Sequence, residues 1–599
     1  MVKDRVIVFF LSVIQCSSSM MDSRRFYGIR VPPVEDSEDS CLSESDSDYS
    51  PDTEDAAPAD QSGQSGSDTD DEDETQEPST SSARSFLWKR VNHARTCQPQ
   101  WEDSLPDPPD EPKAPIEYFR YFFDDKLLPE IRDQSNLYAL QKNANKALRL
   151  TCAALEQFLG ATMYMSIYRL PRSHMYWSRE MRVEKVAEVM SRDRWQTIKS
   201  NLHFNNNDLL QANAGNDRLF KIRPLIDNLL PKFQILPKSQ MLVVDEQIVP
   251  FKGRSSLKQY VPSKPHKWGY KIFVLCDTHG LVYDFSIYTG DIRPVPGLPD
   301  LGASSNVVLE LSRSIPENKN YLLFFDNWFT SIKLLVSLHQ RGIPALGTAR
   351  ANRISGCRLP SDAEMKKDGR GSHVEREATV DGVEVRVVKW YDSRGVNIAS
   401  TFGSAEPLGS CQRYDRKKKE RCEIQQPAIV KTYNTFMGGV GLLDGLMAYY
   451  RIFLKSKKFY LRFFFHFVDM AVVNSWLLYR RDCDALAIAK KEQLDLLAFK
   501  ASLASCLCNE NKDMMKKRGR PSLSVEAELE RKKRRGPTAP TPHAQVRHDN
   551  VGHWPEVSQQ RQRCKMPGCK GQPVSFCTKC KVHLCINKSS KCFISFHKN

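Results

Sequence analysis

Two apolar runs that each end in an aspartate are the clearest pattern of hydrophobic and polar positions along the chain. Met241–Asp245 and Tyr321–Asp326 consist of apolar or aromatic residues up to the final acid. A continuous apolar run of this length is typical of a strand buried on both faces of a sheet. A carboxylate beside such a strand is costly to desolvate unless a cation or a donor meets it. The pattern therefore predicts either a divalent-metal site on a sheet or strand-end acids that cap turns or pair with Lys252 and Arg254.

The residues around these runs alternate strands with one clear helix. A turn at His279-Gly280 separates two β-type runs, and Gly342 followed by Pro344 ends a helical pattern. The predicted elements are a hairpin of Lys271–Asp277 and Leu281–Tyr288, a strand at Asn320–Asp326, a helix at Thr330–Arg341 and a strand at Ala345–Ala349. We expect an α/β core over residues 241–350, completed by a helix within residues 432–455.

Helical periodicity dominates both sides of this core, starting with the apolar positions from Ile116 to Ile131. Further helices are predicted at Leu148–Met165, Arg182–Ser191, Asp193–Leu202, Asp217–Leu230, Tyr433–Arg451, Phe459–Arg481 and Asp484–Leu507. Pro231 is expected to end the fourth of these. Phe459–Arg481 includes Arg462, His466, Asp469 and Asn474, so we expect it to be buried in protein and predict no membrane partner. The pattern indicates an all-helical domain split between residues 115–240 and 456–510.

Residues 351–431 interrupt the predicted core. Val383–Trp390 and Val396–Thr401 have the composition of strands, which predicts an inserted β-rich module. A basic loop within it contains Arg416, Lys417 and Lys418. We interpret this loop either as a DNA contact or as a solvated charged loop.

The N-terminal region is polar and acidic. Residues 1–114 are expected to be mostly disordered, because the composition of Glu35–Ser82 cannot bury enough apolar surface to offset the entropy of ordering. Val6–Ile14 resembles the core of a signal peptide, but the basic and thiol-rich remainder of the chain argues against secretion. Met20 and Met21 offer alternative starts, so the first segment is interpreted as an extension of the reading frame.

Two short basic motifs lie in a polar linker over residues 511–562. Lys517, Arg518 and Arg520 belong to a stretch that resembles an AT-hook, whose Arg-Gly-Arg core binds narrow A·T minor grooves. Arg531–Arg535 is a cluster of the kind that directs nuclear import. These motifs predict a nuclear location and a DNA partner.

The charge distribution supports a nucleic-acid partner. The 599 residues carry a formal net charge of +15, and Val31–Thr80 holds 18 acids without a Lys or Arg. Removing those 18 acids from a net charge of +15 leaves +33 on the rest of the chain. A surplus of this size favours a nucleic-acid partner over solubility charge on a large protein as the explanation.

The cysteines indicate metal binding in a reducing compartment. Six of the 17 lie in Cys564–Cys592, and the others show no disulfide framework. Eight potential ligands occupy residues 563–599, namely Cys564, Cys569, Cys577, Cys580, His583, Cys585, Cys592 and His597. This set suits two structural, tetrahedral Zn²⁺ ions in a small domain that folds because metal binds.

The pairing of these ligands is open at this point. An interleaved arrangement would place Cys564, Cys569, His583 and Cys585 at one ion, with Cys577, Cys580, Cys592 and His597 at the other. The finger itself is interpreted as a DNA-binding or a protein-binding unit.

The order of short motifs resembles the piggyBac transposases and their host-domesticated, transposable element-derived relatives. The resemblance covers about residues 115–481 and extends into the Cys-rich tail. The motifs are Asp245-Glu246-Gln247, Phe251-Lys252-Gly253-Arg254, Lys264-Pro265, Gly269-Tyr270-Lys271, Tyr288-Thr289-Gly290, Asp326-Asn327-Trp328-Phe329-Thr330-Ser331, Asn352-Arg353, Gly369-Arg370-Gly371, Lys389-Trp390 and Met437-Gly438-Gly439-Val440.

The resemblance implies a multidomain α+β protein with an RNase H-like core, a DNA-binding and dimerising helical domain, and three metal-binding aspartates. Asp245 and Asp326 match the first two. Gly441 stands where the family has its third catalytic aspartate, and Asp444 matches the second acid of that stretch. The family cleaves DNA at inverted terminal repeats and integrates at TTAA, and its tail recognises terminal-repeat DNA.

The missing carboxylate at Gly441 decides the functional prediction. DNA cleavage of this kind uses two Mg²⁺ ions held by carboxylates. Asp444 is displaced from Gly441 by about one helical turn, ~5 Å, which is large beside the ~1 Å tolerance of catalysis. We therefore expect a nuclear DNA-binding or chromatin-associated protein with impaired catalysis. The alternative is an active transposase or nuclease that uses Asp245, Asp326 and Asp444.

Overall fold

The computed structural model describes residues 86–91, 99–210, 217–262, 264, 266–415, 419–509, 541–587 and 589–598, and two short paired strands, β1 (Arg25–Phe26) and β2 (Ile29–Arg30). Several predicted features lie outside the described residues. They are the signal-like run, the acidic segment, Arg416, Lys417 and Lys418 of the basic loop, Lys517, Arg518 and Arg520 of the AT-hook-like stretch, and Arg531–Arg535.

A ten-stranded mixed sheet forms the centre of the fold. Its strands are β3 (Lys89–Arg90), β4 (Met241–Pro250), β5 (Gln259–Tyr260), β6 (Trp268–Asp277), β7 (Val282–Ile287), β8 (Leu322–Phe325), β9 (Ala345–Thr348), β10 (His373–Val380), β11 (Val383–Tyr391) and β12 (Gly395–Ser400). They lie in the order β3-β10-β11-β12-β9-β8-β4-β6-β5, and β7 pairs with β6. β8 is parallel to both β4 and β9, which places the apolar runs of β4 and β8 side by side at the buried centre.

Helices surround the sheet. They are α1 (Pro115–Phe122), α2 (Leu127–Lys142), α3 (Cys152–Tyr168), α4 (Glu184–Ala187), α5 (Arg192–Asn201), α6 (Arg223–Gln234), α7 (Ala303–Leu311), α8 (Ile332–Gln340), α9 (Asp362–Asp368), α10 (Ala428–Phe436), α11 (Gly439–Tyr449), α12 (Phe459–Ala485), α13 (Leu496–Asn509), α14 (Ala544–Arg547) and α15 (Cys592–His597). The two halves of the helical region pack together as predicted: Tyr118 on α1 donates a hydrogen bond to Asp482 on α12 at 2.7 Å.

The long helix α12 is a core helix. Among the described residues it alone has the length and composition to cross a membrane, yet 94% of its most apolar segment is buried in the protein. The Asn474 side chain on α12 bonds both the N–H and the C=O of Val282 on β7, at 3.0 and 2.8 Å. This contact ties the helical part directly to the sheet, and the expected protein burial of this helix is confirmed.

The predicted inserted module is corrected in part. β10, β11 and β12 do not form a separate unit, because β12 pairs with β9 through Ile398 opposite Thr348 and so continues the central sheet. An unpaired edge on β9 would leave backbone N–H and C=O groups without partners, and β12 supplies those partners. Within the described residues of 351–431, only the hairpin of β13 (Gly409–Asp415) and β14 (Glu420–Gln426) forms a sheet separate from the central one.

The expected disorder over residues 1–114 is wrong for the last part of that range. β3 pairs with β10, and Trp88 donates its indole N–H to the carbonyl of Ser355 at 2.9 Å. Farther on, Tyr321 donates to Asp103 at 2.6 Å. A few aromatic and polar anchors hold this stretch against the core, although its average composition is polar.

Helix α6 continues through Pro231, where the sequence predicted an end. Pro231 cannot donate a backbone hydrogen bond, which normally weakens a helix interior. Here tertiary contacts hold the last turn: Phe233 is buried against Phe122, with ring centroids 4.8 Å apart, and the Lys232 ammonium donates to the carbonyl of Phe122 at 2.8 Å.

The Cys-rich domain has a small core of its own, built around Val582, Leu584, Phe593 and Phe596. Its sheet pairs β15 (Pro555–Val557) with β16 (Ser575–Cys577). Because β15 precedes residue 563, the domain begins earlier than predicted and takes in the end of the expected linker.

Candidate functional site

Asp245 and Asp326 lie next to each other at the centre of the sheet. Val244 on β4 is in register with Phe325 on β8, and the two strands are parallel. The next residue of each segment is the aspartate, so the two aspartates lie at the same level of the sheet. Asp326 directly follows β8, whereas Asp245 lies within β4, which continues to Pro250, and is not the strand-end acid that the sequence predicted. Asp326 accepts the backbone N–H of Trp328 at 2.9 Å, which fixes the turn after β8.

The environment of this acid pair disfavours two separate negative charges. Burial raises the pKa of Asp245 to about 7; the nearby Asp326 raises it too, while Lys264 opposes the shift. Burial also raises the pKa of Asp326. Burial lowers the pKa of Lys264, but four surrounding carboxylates, with Asp245 the strongest, outweigh burial and leave it raised. The charge of Lys264 alone does not balance the carboxylates of Asp245 and Asp326, so this site favours binding of a further cation.

Glu246 has a structural partner and is not part of the acid pair. Lys271 lies 2.6 Å and Lys264 3.5 Å from its carboxylate oxygens. Burial acts to raise the pKa of Glu246, but these two cations outweigh it and hold the pKa below its usual value. The cations that meet the acids at the end of the first apolar run are therefore Lys264 and Lys271.

Asp444 lies on α11 and is held by a chain of two hydrogen bonds through the buried side chains of Gln247 and His466. Gln247 is fully buried and donates to Asp444 at 2.7 Å, and its amide oxygen lies 2.8 Å from Nε2 of His466. The amide nitrogen of Gln247 donates to Asp444, so the amide oxygen of Gln247 is the acceptor toward His466. The Nε2 atom of His466 therefore carries the proton of that hydrogen bond. Burial raises the pKa of Asp444, and the bond from Gln247 opposes that rise.

Gly441 lies in the first turn of α11, and a Cβ there would meet nothing within 4 Å. At Gly439, by contrast, a Cβ would overlap the carbonyl oxygen of Asp277. Close packing of α11 on β6 therefore requires a glycine at position 439 but not at 441.

Asp245, Asp326 and Asp444 do not form one compact group of carboxylates. Within the described residues, only two cysteine-rich groups place three or more ligand atoms within 4.8 Å of one another, and Asp245, Asp326 and Asp444 form no such group. Asp245 and Asp326 suit one divalent cation. Gly441 contributes no oxygen and the Asp444 carboxylate does not join those of Asp245 and Asp326 in one cluster, so the third carboxylate ligand of a two-ion site is not in place.

The first cysteine-rich group consists of Cys564, Cys569, Cys585 and Cys592. The sulfurs of Cys569 and Cys585 are 3.8 Å apart. Four thiolates at this spacing suit a tetrahedral structural Zn²⁺.

The second group consists of His553, Cys577, Cys580 and His597. Nδ1 of His553 lies 3.3 Å from the Cys577 sulfur and 3.5 Å from the Cys580 sulfur. Its Nε2 lies 2.9 Å from the carbonyl oxygen of Val546 and 3.0 Å from Asp549, which assigns Nδ1 as the ligand atom and these two oxygens as the outer partners. His597 has the opposite arrangement: Nδ1 lies 2.8 Å from the carbonyl of Phe593, and the buried Nε2 has no hydrogen-bond partner in the described residues.

The structure corrects the predicted ligand pairing at two positions. Cys592 joins the first group in place of His583, and His553 takes the place in the second group that Cys592 was expected to fill. His583 is buried beside Phe576, with ring centroids 5.6 Å apart, and is a core residue. His553 was missed because it lies eleven residues before Cys564, the first cysteine of the cluster; only the pairing of β15 with β16 brings it to the site.

Comparison with known proteins first defines the class. Residues 114–476 match the model of the family described as Transposase IS4. The fold is also that of a solved piggyBac transposase, in a synaptic complex with hairpin DNA, with a TM-score of 0.57 and 20% identity over 80% of this chain and 97% of that one.

Closer relatives then identify the family. PiggyBac transposable element-derived protein 2 from Homo sapiens is 32% identical over 491 residues, covering 81% of this chain and 76% of that protein. PiggyBac transposable element-derived protein 3, also human, is 30% identical over 490 residues with the same coverage. The chain belongs to the piggyBac transposable element-derived family of transposase descent.

Proposed function

We propose that this protein is a nuclear, DNA-binding descendant of a piggyBac-type transposase in which strand cleavage is impaired. The observation that carries the proposal is the missing third carboxylate: Gly441 has none, and Asp444, one helical turn farther on, does not gather with Asp245 and Asp326 into a three-ligand group. A divalent cation in a complete site of this kind supplies Lewis acidity and an activated nucleophile for phosphodiester cleavage. With the second ion's ligands incomplete, the remaining function is binding.

Double-stranded DNA is the proposed partner. The +33 charge outside the acidic segment matches a polyanion, and the structurally similar transposase was solved with DNA. The AT-hook-like and import-type motifs support a nuclear location, and two structural Zn²⁺ ions complete the Cys-rich domain. We further propose an RNase H-like core and a homodimer, and chromatin proteins as additional partners, on the family resemblance.

The packing of α11 along β4 places position 441 nearer to Asp245 than position 444. Asp444 meets Gln247, two residues and ~7 Å past Asp245 on the same face of β4. Gly439, at the start of α11, packs on Asp277, which is paired with Leu242 near the start of β4. The helix therefore runs along β4, and Gly441, one turn before Asp444, comes nearer to the level of Asp245.

The test is a nicking assay on supercoiled plasmid with Mg²⁺ or Mn²⁺. We expect little cleavage by the wild type and measurable cleavage by Gly441→Asp, because the open space at Gly441 admits a third carboxylate. Gly441→Asn is the matched control of similar size without the charge, and Gly441→Asp combined with Asp326→Asn should lose the gain.

The alternative, an active nuclease that uses Asp444, has one observation in its favour, namely that Asp444 lies on the same face of β4 as Asp245. Strong wild-type cleavage that Asp444→Asn abolishes would establish it and refute the impaired-site proposal.

A further inference from the structure

Two large aromatic side chains lie exposed beside each other at the edge of the central sheet. Tyr260 on β5 and Trp268 on β6 are 50% and 48% exposed. They are direct cross-strand partners, and their ring centroids are 4.7 Å apart. Burial in the protein core does not explain why two large aromatic residues stand here, because about half of each side chain remains exposed to solvent.

The backbone that carries Trp268 is held firmly. Its carbonyl accepts the N–H of Phe251 at 3.2 Å, and Gly269 beside it has no room for a side chain because a Cβ would overlap the carbonyl oxygen of Val249. Tyr270, the next residue on the same face, is buried between Phe251 and Phe463. A rigid strand therefore presents an exposed ring, which is the arrangement that binding surfaces use.

The surroundings of the pair are strongly basic. The Lys258 ammonium lies 4.6 Å from the centroid of the Trp268 ring, a cation–π distance. Between Gln247 and Cys276 the sequence has no acid and six basic residues: Lys264 and Lys271 pair with Glu246, and the other four are Lys252, Arg254, Lys258 and Lys267. Aromatic faces within a basic surface complement a chain that offers both phosphates and exposed bases.

The same strands connect this surface to the acid pair. Val274 on β6 is directly opposite Asp245, and Trp268 lies six residues away, or ~20 Å along the strand. The hairpin formed by β5 and β6 also brings the Lys264 ammonium to 3.5 Å from the Glu246 carboxylate, next to the acid pair. One strand of B-DNA rises ~3.4 Å per nucleotide, so ~20 Å is spanned by about six stacked nucleotides and by fewer in a more extended single strand.

We infer that Tyr260 and Trp268 form a stacking surface for an unpaired base of the DNA strand that runs to the acid pair. The inference rests on the proposed DNA-binding function and names the form of DNA recognised. Single-stranded DNA is favoured over the duplex because only an unstacked base offers its face to a side chain, and base–aromatic stacking combined with lysine contacts is how proteins hold single strands.

The experiment measures binding of the full-length protein to a blunt duplex and to the same duplex with a six-nucleotide single-stranded extension, by fluorescence anisotropy. We expect the wild type to bind the extended DNA more tightly. Trp268→Ala should weaken binding of the extended DNA by roughly 5- to 150-fold, the range that one stacked base supplies, and leave the blunt duplex unchanged. Trp268→Phe should retain most of the difference.

Tyr168→Ala is the matched control, since Tyr168 is 49% exposed on α3, in the helical part of the chain. Equal loss for both DNAs, or a preference for the extension that survives Trp268→Ala combined with Tyr260→Ala, would overturn the inference while leaving DNA binding intact. Absence of binding to the blunt duplex would instead count against the proposed function. A Trp268-dependent preference for an RNA extension over DNA would assign the surface to RNA.

Discussion

Replacing His553 tests the least expected feature of the structure, the histidine ligand outside the cysteine cluster. His553→Ala removes one of four ligands from the second zinc group and leaves the all-cysteine group intact. Structural zinc binding contributes about 10–16 kcal/mol, so an equal share for one ligand is about 2.5–4 kcal/mol, or roughly a 70- to 900-fold loss of affinity. The side chain is 7% exposed, so solvent water replaces it poorly.

The assay is zinc release from the full-length protein during titration with a chelator, read by a colorimetric zinc indicator. The wild type should release two equivalents late in the titration, whereas His553→Ala should release one equivalent early. His583→Ala is the matched control, because His583 is equally a buried histidine of this domain but belongs to neither group. If His583→Ala lost the zinc and His553→Ala kept it, the assignment of the second group would be refuted.

Two further predictions concern charge. Affinity for duplex DNA should fall steeply between about 50 and 200 mM salt, by ~10³-fold or more if six or more phosphates are neutralised; an affinity that stays flat on titration with NaCl would show that the basic surplus does not contact phosphates. Asp245→Asn should stabilise the protein at pH 8 more than at pH 5. The pKa of Asp245 in the folded protein, about 7, lies above the ordinary 3.8. Burying this carboxyl group therefore costs no folding free energy below pH ~4, where it is protonated in both states, and up to about 4 kcal/mol above pH ~7, where it is ionised. Thermal unfolding at the two pH values measures this, and equal shifts in Tm would contradict the buried-acid description.

Much of the core was determined by sequence pattern alone. The apolar runs before Asp245 and Asp326 predict buried strands because each is short, continuous and ends in a polar residue. The β6–β7 hairpin and the helix that ends before Gly342 follow from local turn and capping chemistry. These signals are local, so no tertiary information was needed to find them.

Only the tertiary structure decided which residues meet. The register of β4 with β8 brings Asp245 and Asp326 together across 81 residues of sequence, and the packing of α11 brings Gln247 to Asp444. The β15–β16 pairing brings His553 to its cysteines, whereas ligand spacing alone favoured His583. Pairings of this kind depend on long-range register and helix packing, which leave no periodic trace in the residues themselves. The strands and the candidate acids and thiols can therefore be predicted from the local sequence, whereas tertiary packing determines which of them come together in a site.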